Sequence, residues 1–256
     1  NPDVTILTRT TVFNNGDQGA VALMERVTEH LPVDERGGRA LRRLWQVRTR
    51  ELVVATGATE RPLVFADNDR PGVMLAAGVR GYLHRFGIVP ERLVVFTTCD
   101  DAYRTAIDLA GAGVDVAMIV DVREDPQGSL ITRARELGIE LRTGSAVVGT
   151  DGDADGVLTA VRITSLDGRD PEAIACDCLA VSGGWDPLFD LHLHVSGGSR
   201  WNRTLVGFVP DGSVRGIRVT GAAAGIFGTA GARRDGHLVG LVAAEAAGCG
   251  RTEDGP

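Results

Sequence analysis

The hydrophobic and polar positions follow two patterns along the chain. Short apolar runs such as 93–96 and 114–120 indicate buried strands of a parallel sheet. Apolar residues three or four positions apart over 73–86 predict an amphipathic helix. Residues 20–31 fit both a strand and a helix, and we favour the strand. The other predicted strands are 4–13, 44–47, 51–55, 139–141, 157–166, 174–181 and 217–220, and the other predicted helices are 102–112, 129–137 and 237–247.

Glycine, asparagine and aspartate mark the expected turns. The sequence predicts a turn at 14–17, a tight turn at 48–50 between two short strands, and a hairpin turn at Asp167-Gly168. Asp235 is predicted to cap the amino end of the last helix, which ends at Gly248.

The order of elements predicts an α/β fold with interleaved Rossmann-like domains. Strand 93–96, helix 102–112 and strand 114–120 make a βαβ unit of the dinucleotide-binding type. We expect residues 91–180 to form this second domain, inserted into a first dinucleotide-binding domain built from 1–90 and 181–256. The chain opens on Asn1 and runs directly into a β-like segment, so we expect the first domain to lack its N-terminal βαβ.

Composition narrows the possible partners. The formal net charge is −7 and the sequence pI is about 5.3, which argues against a nucleic-acid partner or an anionic membrane surface. All 27 basic residues are arginine, so Schiff-base and Walker A chemistry, which need lysine, are excluded. The four cysteines lack paired spacing, no signal peptide is visible, and no apolar run reaches the ~18–20 residues of a membrane span. A cytoplasmic location is expected.

Two segments of small residues are the candidate cofactor site. Each follows a predicted strand, where small side chains allow the backbone of a dinucleotide to approach the main chain. A helix follows the second segment, and its positive amino end suits a phosphate or a flavin edge. The predicted cofactor-binding residues are Ala55, Thr56, Gly57, Gly221, Ala222 and Gly225.

The inserted domain lacks the glycine-rich turn that its βαβ unit should carry. Thr97 and Cys99 would crowd the approach of a nucleotide, and Asp100 and Asp101 would place two negative charges where a pyrophosphate should lie. Asp121 would suit a ribose, although an acidic residue at a strand end is a weak signal alone. We therefore expect a Rossmann scaffold that does not bind a nucleotide in the standard way.

No catalytic residue and no metal site is predicted. Cys176 and Cys178 share a strand face, and His192 and His194 form an H-x-H pair, but neither pair has further ligands at useful spacing. Cys99 near a helix start could have a lowered pKa, which Asp100 and Asp101 would oppose. His237 could touch a cofactor or simply cover a helix end, and we favour the second interpretation.

Four segments carry a specific family resemblance that extends over nearly the whole chain. Residues 7–13, 55–76, 102–106 and 180–187 closely resemble the α subunit of heterotetrameric sarcosine oxidases, within the glutathione-reductase-like class of flavoproteins with two dinucleotide-binding domains. The long run 55–76 is hard to obtain by chance. The chain resembles a middle piece of that subunit.

The resemblance implies an oxidoreductase acting on the CH–NH group of donors. Such a complex oxidises sarcosine to glycine and hydrogen peroxide and transfers the one-carbon unit to tetrahydrofolate. The resemblance implies NAD in this region of the α subunit, FAD in a flavin-binding β subunit where the amine is oxidised, and FMN between the two. Small accessory subunits complete the complex, and tetrahydrofolate binds a C-terminal α domain that we expect to lie outside this chain. The isolated chain is expected to be inactive.

Three alternatives stay open at this point. Ala222 stands where the wider class usually has an aspartate, which favours NAD or an empty site over FAD. The chain could be a non-catalytic scaffold or interaction module whose nucleotide sites have decayed. It could also be an NAD(P)H-dependent flavin reductase, which the turn 97–101 disfavours.

Overall fold

The computed structural model describes residues 3–249, and the chain divides into two compact units. Unit 1 combines the residues up to Thr59 with those from Pro187 onwards, and unit 2 is Glu60–Asp186. Residues 1–2 and 250–256, the outermost parts of the expected first domain, lie outside the described residues. Within 3–249 no helix is long and apolar enough to cross a membrane.

The described residues form strands and α-helices that are numbered here in chain order. The strands are β1 (Thr10–Gly16), β2 (Ala20–Arg26), β3 (Arg42–Arg48), β4 (Leu52–Val54), β5 (Ala58–Glu60), β6 (Val73–Leu75), β7 (Arg92–Thr97), β8 (Asp115–Asp121), β9 (Leu141–Thr143), β10 (Ser145–Gly152), β11 (Leu158–Ser165), β12 (Glu172–Ala175), β13 (Cys178–Ser182), β14 (Trp185–Pro187), β15 (Gly198–Asn202), β16 (Gly207–Asp211) and β17 (Ile217–Val219). The helices are α1 (Ala76–Phe86), α2 (Asp101–Gly111), α3 (Ser129–Glu136), α4 (Asp190–Leu193) and α5 (Thr229–Ala246).

Unit 2 is a three-layer α/β structure. Its central sheet is parallel, with the strand order β6-β13-β7-β8-β9. Leu93 and Val95 of β7 pack into a core with α1, α2 and α3, whereas Val94 and Phe96 point into a second core with the antiparallel sheet β10-β11-β12. Successive side chains of a strand face opposite ways, so a strand that is covered on both sides is apolar throughout.

Unit 2 is larger than the expected insert 91–180. Strand β6 pairs with β13 at Val73↔Leu179 and therefore belongs to the parallel sheet, and α1 packs against the same core through Ala76 and Val79. The boundaries consequently fall at 59/60 and 186/187 rather than at 90/91 and 180/181. The expected helix over 73–86 begins only at Ala76, because residues 73–75 form strand β6.

Unit 1 consists of small sheets with few large buried side chains. Strands β1, β2 and β3 form an antiparallel sheet, β15 pairs with β16, and β4 pairs with β17 in parallel. Among the largest fully buried side chains of the described residues, only Val54 lies in unit 1. Most of the apolar core is therefore in unit 2.

Several local predictions need correction. The favoured strand at 20–31 is present as β2, but the segment 14–16 continues β1 instead of turning. The strands on either side of 48–50 do not pair, because β3 joins β2 and β4 joins β17. The apolar run 174–181 is divided at Cys176 and Asp177 into β12 and β13, and β10 was not predicted. The hairpin at Asp167-Gly168 is confirmed as the β11–β12 turn.

Candidate dinucleotide site and family relationships

The parallel pair β4–β17 brings the two predicted small-residue segments to one edge of unit 1. Leu52 is paired with Ile217 and Val54 with Val219. The carboxyl ends of parallel strands meet at the same edge, where α/β folds bind their ligands. Residues 55–57 therefore leave the sheet beside 220–225.

The segment Ala55-Thr56-Gly57 is open on one side and anchored on the other. Ala55 and Thr56 are exposed, and Gly57 has φ +81° with no other atom within 4 Å of the position a Cβ would take. The Gly57 carbonyl accepts the Leu188 N–H at 3.0 Å, and the Thr56 hydroxyl donates to the Leu188 carbonyl. Because this strand end is held in place and uncrowded, it can accommodate the backbone of a dinucleotide.

The second segment is a 3-10 turn at Gly221–Ala224 that helix α5 holds from behind. The Asp235 carboxylate accepts the Thr220 hydroxyl at 2.6 Å and the Gly221 N–H at 2.9 Å. The predicted role of Asp235 as a helix cap is wrong, because α5 begins at Thr229, with Gly228 at the cap position, and Asp235 lies within the helix.

Glycine is needed at position 225 for a different structural reason than at position 57. Its φ is +79°, and a Cβ there would lie 2.8 Å from Val209 Cγ1 and 2.9 Å from Leu205 Cδ1. The lack of a side chain at Gly225 therefore serves packing within unit 1. Ala222 is half-buried and its side chain is only a methyl group.

The turn of unit 2 that replaces a glycine-rich loop is closed by its own side chains. The Thr97 hydroxyl accepts the Cys99 N–H at 2.9 Å. The sequence suggested two negative charges at this turn without partners. In the structure both are paired, Asp100 with Arg123 at 2.6 Å and Asp101 with Arg104 at 2.9 Å.

Asp121 does not present a free carboxylate to a ribose. Its side chain is fully buried, and its two oxygens accept the Tyr103 hydroxyl at 2.8 Å, the Arg123 N–H at 2.9 Å and the Arg123 guanidinium at 2.8 and 3.0 Å. Burial, together with the bond to Asp121, raises the pKa of Tyr103, so the phenol remains a hydrogen-bond donor. Burial opposes the charge of Arg123, but its bonds to Asp121 and Asp100 prevail and raise its pKa.

A polar cluster that the sequence analysis did not single out lies at the carboxyl edge of the parallel sheet in unit 2. Glu60 is buried and accepts the Ala77 N–H at 2.8 Å, and burial raises its pKa. Ser182 Oγ lies 3.5 Å from the Sγ of half-buried Cys99. Glu60 precedes a loop and carried no periodic signal, so only the tertiary structure reveals its burial.

The candidate metal ligands do not form a common site. Cys176 and Cys178 do not share a strand face as predicted, because Cys176 packs into the core with β10-β11-β12 and Cys178 into the core with α1, α2 and α3. Burial raises the thiol pKa of Cys176 and of Cys178 to about 12. His192 Nε2 lies 3.3 Å from the Asp211 carbonyl, whereas His194 Nδ1 accepts the Asn15 N–H at 3.4 Å. Over residues 3–249 no group of three or more His, Cys, Asp or Glu side chains could hold a metal ion. His237 is exposed on α5.

Comparison with solved structures shows the type of fold. The L-proline dehydrogenase of P. horikoshii matches with a TM-score of 0.63 at 17% identity, over 95% of this chain and 42% of that one. A thioredoxin reductase from T. acidophilum matches with a TM-score of 0.64 at 15% identity, over 93% of this chain and 72% of that one. The fold is that of the FAD- and NAD-dependent oxidoreductases with two dinucleotide-binding domains, as predicted.

Comparison with curated proteins is more specific. No protein-family model matches the chain. It is 40% identical over 260 residues to the sarcosine oxidase α subunit of Corynebacterium sp. strain P-1, covering 99% of this chain and 27% of that protein. It is 39% identical over 237 residues to the α subunit from Rhizobium meliloti strain 1021, covering 90% and 22%. The resemblance to sarcosine oxidase α subunits is thus confirmed, and the chain spans about a quarter of the length of these relatives.

Proposed function

We propose that this chain is the dinucleotide-binding region of an α subunit in a sarcosine oxidase. The observation that carries the proposal is the identity of 37–40% to three such subunits over at least 90% of the chain. The whole enzyme would oxidise sarcosine to glycine and hydrogen peroxide and pass the one-carbon unit to tetrahydrofolate. Amine oxidation would take place in a flavin-binding β subunit that carries FAD, with FMN between the subunits and small accessory subunits completing the complex.

In this proposal the edge of unit 1 holds NAD. Ala55, Thr56 and Gly57 leave space for the nucleotide backbone, and Gly221 and Ala222 offer a turn without bulky side chains. Ala222 lacks the carboxylate that the wider class places near a flavin polyol, which favours NAD over FAD. The bound NAD would serve either in electron transfer or as a structural element. The residues of this chain would bind and orient the nucleotide.

The second candidate function is a non-catalytic scaffold or interaction module whose nucleotide sites have decayed, and the closed turn of unit 2 favours it. Its nucleotide turn is closed by the network of Asp121, Arg123 and Asp100. This closure disfavours a free-standing NAD(P)H-dependent flavin reductase, which would need an open nicotinamide site. Unit 2 would then position other parts of the complex. We also expect the isolated chain not to oxidise sarcosine, because no residue in it is assigned as a covalent flavin anchor or an amine-site base.

Nucleotide content of the complete α subunit tests the proposal. The variant Ala55→Leu adds bulk to an exposed residue at the strand end, and Ala175→Leu adds the same bulk to an exposed residue of β12 as a control. NAD and FAD are quantified after acid release. We expect NAD in the wild type and in the control, and its loss in Ala55→Leu. Unchanged nucleotide in Ala55→Leu would refute binding at this edge and leave the scaffold role ahead.

A further inference from the structure

Asp235 connects helix α5 to the turn that begins the second small-residue segment. Its Oδ2 atom accepts two hydrogen bonds, from the Thr220 hydroxyl at 2.6 Å and from the Gly221 N–H at 2.9 Å. Thr220 is buried, and Gly221 has φ +64°. One carboxylate oxygen therefore fixes both the Thr220 side chain, which directly follows β17, and the first backbone donor of the turn.

This arrangement changes what the turn can bind. In a glycine-rich turn, free backbone N–H groups attract phosphate. Here the Gly221 N–H already donates to a carboxylate, and the Gly225 and Ile226 N–H groups donate to carbonyls within the turn. A phosphate placed on this turn would meet a negative charge within a few ångströms and would find the first N–H engaged.

The carboxylate is not neutralised by an ion pair in the described part of the chain. Arg218, the nearest arginine along the chain before the turn, pairs with Glu51 at 3.0 Å, and Arg233 and Arg234 lie exposed on α5. Like-charge repulsion at a binding surface discriminates between ligand groups more than it changes overall affinity. The charge of Asp235 thus acts on the turn itself.

We propose that Asp235 is a positioning residue of the nucleotide site, and that its carboxylate keeps the phosphates of the dinucleotide away from the Gly221–Gly225 turn. The inference rests on the proposed function. An uncharged part of the nucleotide lies against this turn, and the diphosphate lies elsewhere along the edge.

Two variants separate the hydrogen bonds of Asp235 from its charge. Asp235→Asn retains an oxygen that accepts from Thr220 and Gly221 but removes the charge, whereas Asp235→Ala removes both. Glu245→Gln removes a carboxylate from an exposed position of the same helix as a control. Each is made in the complete subunit, and the affinity for NAD and the inhibition of NAD binding by inorganic pyrophosphate are measured after the nucleotide is stripped.

We expect Asp235→Ala to weaken NAD binding about tenfold or more, because the turn loses its fixed geometry. Asp235→Asn should bind NAD at least as well as the wild type, while pyrophosphate should inhibit it about tenfold more strongly, since the repulsion is removed. The control should match the wild type in both measurements. A merely structural aspartate would lower the melting temperature without changing the inhibition by pyrophosphate.

Normal NAD binding by Asp235→Ala, or equal pyrophosphate inhibition of Asp235→Asn and the wild type, would overturn this inference and leave the proposed function intact. Failure of the wild-type subunit to bind NAD would overturn both.

Discussion

Arg123 encloses the carboxylate of Asp121, a residue only two positions earlier in the chain. The backbone N–H, Nε and Nη2 of Arg123 donate to the two carboxylate oxygens at 2.8–3.0 Å, and the Asp121 side chain is fully buried. Arg123 also reaches Asp100 at 2.6 Å and so joins the end of β8 to the start of α2. The position from which a dinucleotide-binding βαβ unit usually addresses a ribose is thereby occupied by the protein's own arginine.

A first prediction is that no nicotinamide nucleotide binds at the turn 97–102. The Thr97 hydroxyl fills the turn by accepting the Cys99 N–H, and Arg123 holds both Asp100 and Asp121. Crystals of the complete subunit soaked with NADH should show no density on this turn. Nucleotide density there would contradict the closed state of unit 2. Changing Asp100 and Asp101 to glycine should raise any residual affinity only slightly, because Thr97 and Cys99 still crowd the approach.

A second prediction concerns the stability that Arg123 contributes. Arg123→Ala leaves the buried Asp121 carboxylate without its cationic partner and should lower the free energy of unfolding by about 2 kcal/mol. This is less than for a fully buried pair because the Arg123 side chain is 34% exposed. Arg104→Ala, which breaks the exposed i,i+3 pair with Asp101, should cost less than about 1 kcal/mol. Urea unfolding of the two variants measures the difference, and equal costs would show that Arg123 stabilises the fold no more than an exposed ion pair does.

A third prediction uses two glycines with nearly the same backbone conformation. Gly57 and Gly225 have φ +81° and +79°, but a Cβ would meet open space at Gly57 and Val209 Cγ1 at 2.8 Å at Gly225. Alanine at either position carries the left-handed penalty of about 1 kcal/mol, and at Gly225 it adds overpacking of about 1–3 kcal/mol. In thermal unfolding, the melting temperature of Gly225→Ala should be well below that of Gly57→Ala. Equal melting temperatures would show that the packing around Gly225 yields without cost.

A fourth prediction is a loss of stability at alkaline pH from two buried thiols. Burial raises the pKa of Cys176 and Cys178 from 9.0 to about 12, so the folded state retains protons that the unfolded state releases. Their contribution is complete below about pH 9 and is lost as the pH rises towards 12, by about 1.4 kcal/mol per thiol at pH 10.

Denaturant unfolding between pH 8 and pH 11 measures how steeply the free energy of unfolding falls with pH. The Cys176→Ala and Cys178→Ala double variant should lose part of the decline, whereas Cys249→Ala, which changes an exposed cysteine, should retain all of it. An identical slope in all three proteins would show that the thiols do not contribute.

A fifth prediction is that the isolated 256-residue chain associates or is poorly stable. Leu238, Leu241 and Val242 of α5 are 46–55% exposed on one helix, and apolar clusters of this kind favour association. Sedimentation velocity should show oligomers that diminish when all three residues are changed to glutamine. Leu166→Gln, at a position 56% exposed in the β11–β12 turn, serves as the control. A monomeric chain with a sharp two-state transition would contradict the prediction.

Local apolar runs were sufficient to predict the parallel core of unit 2. The runs 93–96 and 114–120 correspond to β7 and β8, and the helix between them is α2 within one residue at each end. Because these strands are covered on both faces, nearly every residue in them is apolar, and such a run is visible in the sequence. The resemblance carried by 55–76 and 180–187 was likewise readable from the sequence alone.

The partners of polar side chains were not readable in this way. Asp235 looked like a helix cap because aspartate favours that position, yet its carboxylate bonds to Thr220 and Gly221 at the end of a strand. Asp121 looked available to a ribose because it follows a strand, but the loop after β8 returns Arg123 onto it.

The sequence by itself therefore determined the α/β class, the family resemblance and the two small-residue segments of the candidate site, because periodicity and residue size act locally. Only the tertiary structure decided that β6 and α1 belong to unit 2, that Gly225 serves packing, and that Asp121 is already enclosed. The physical reason is that strand pairing, burial and ion pairing depend on residues distant in the chain or on the conformation of a loop, and the pattern of hydrophobic and polar positions specifies neither.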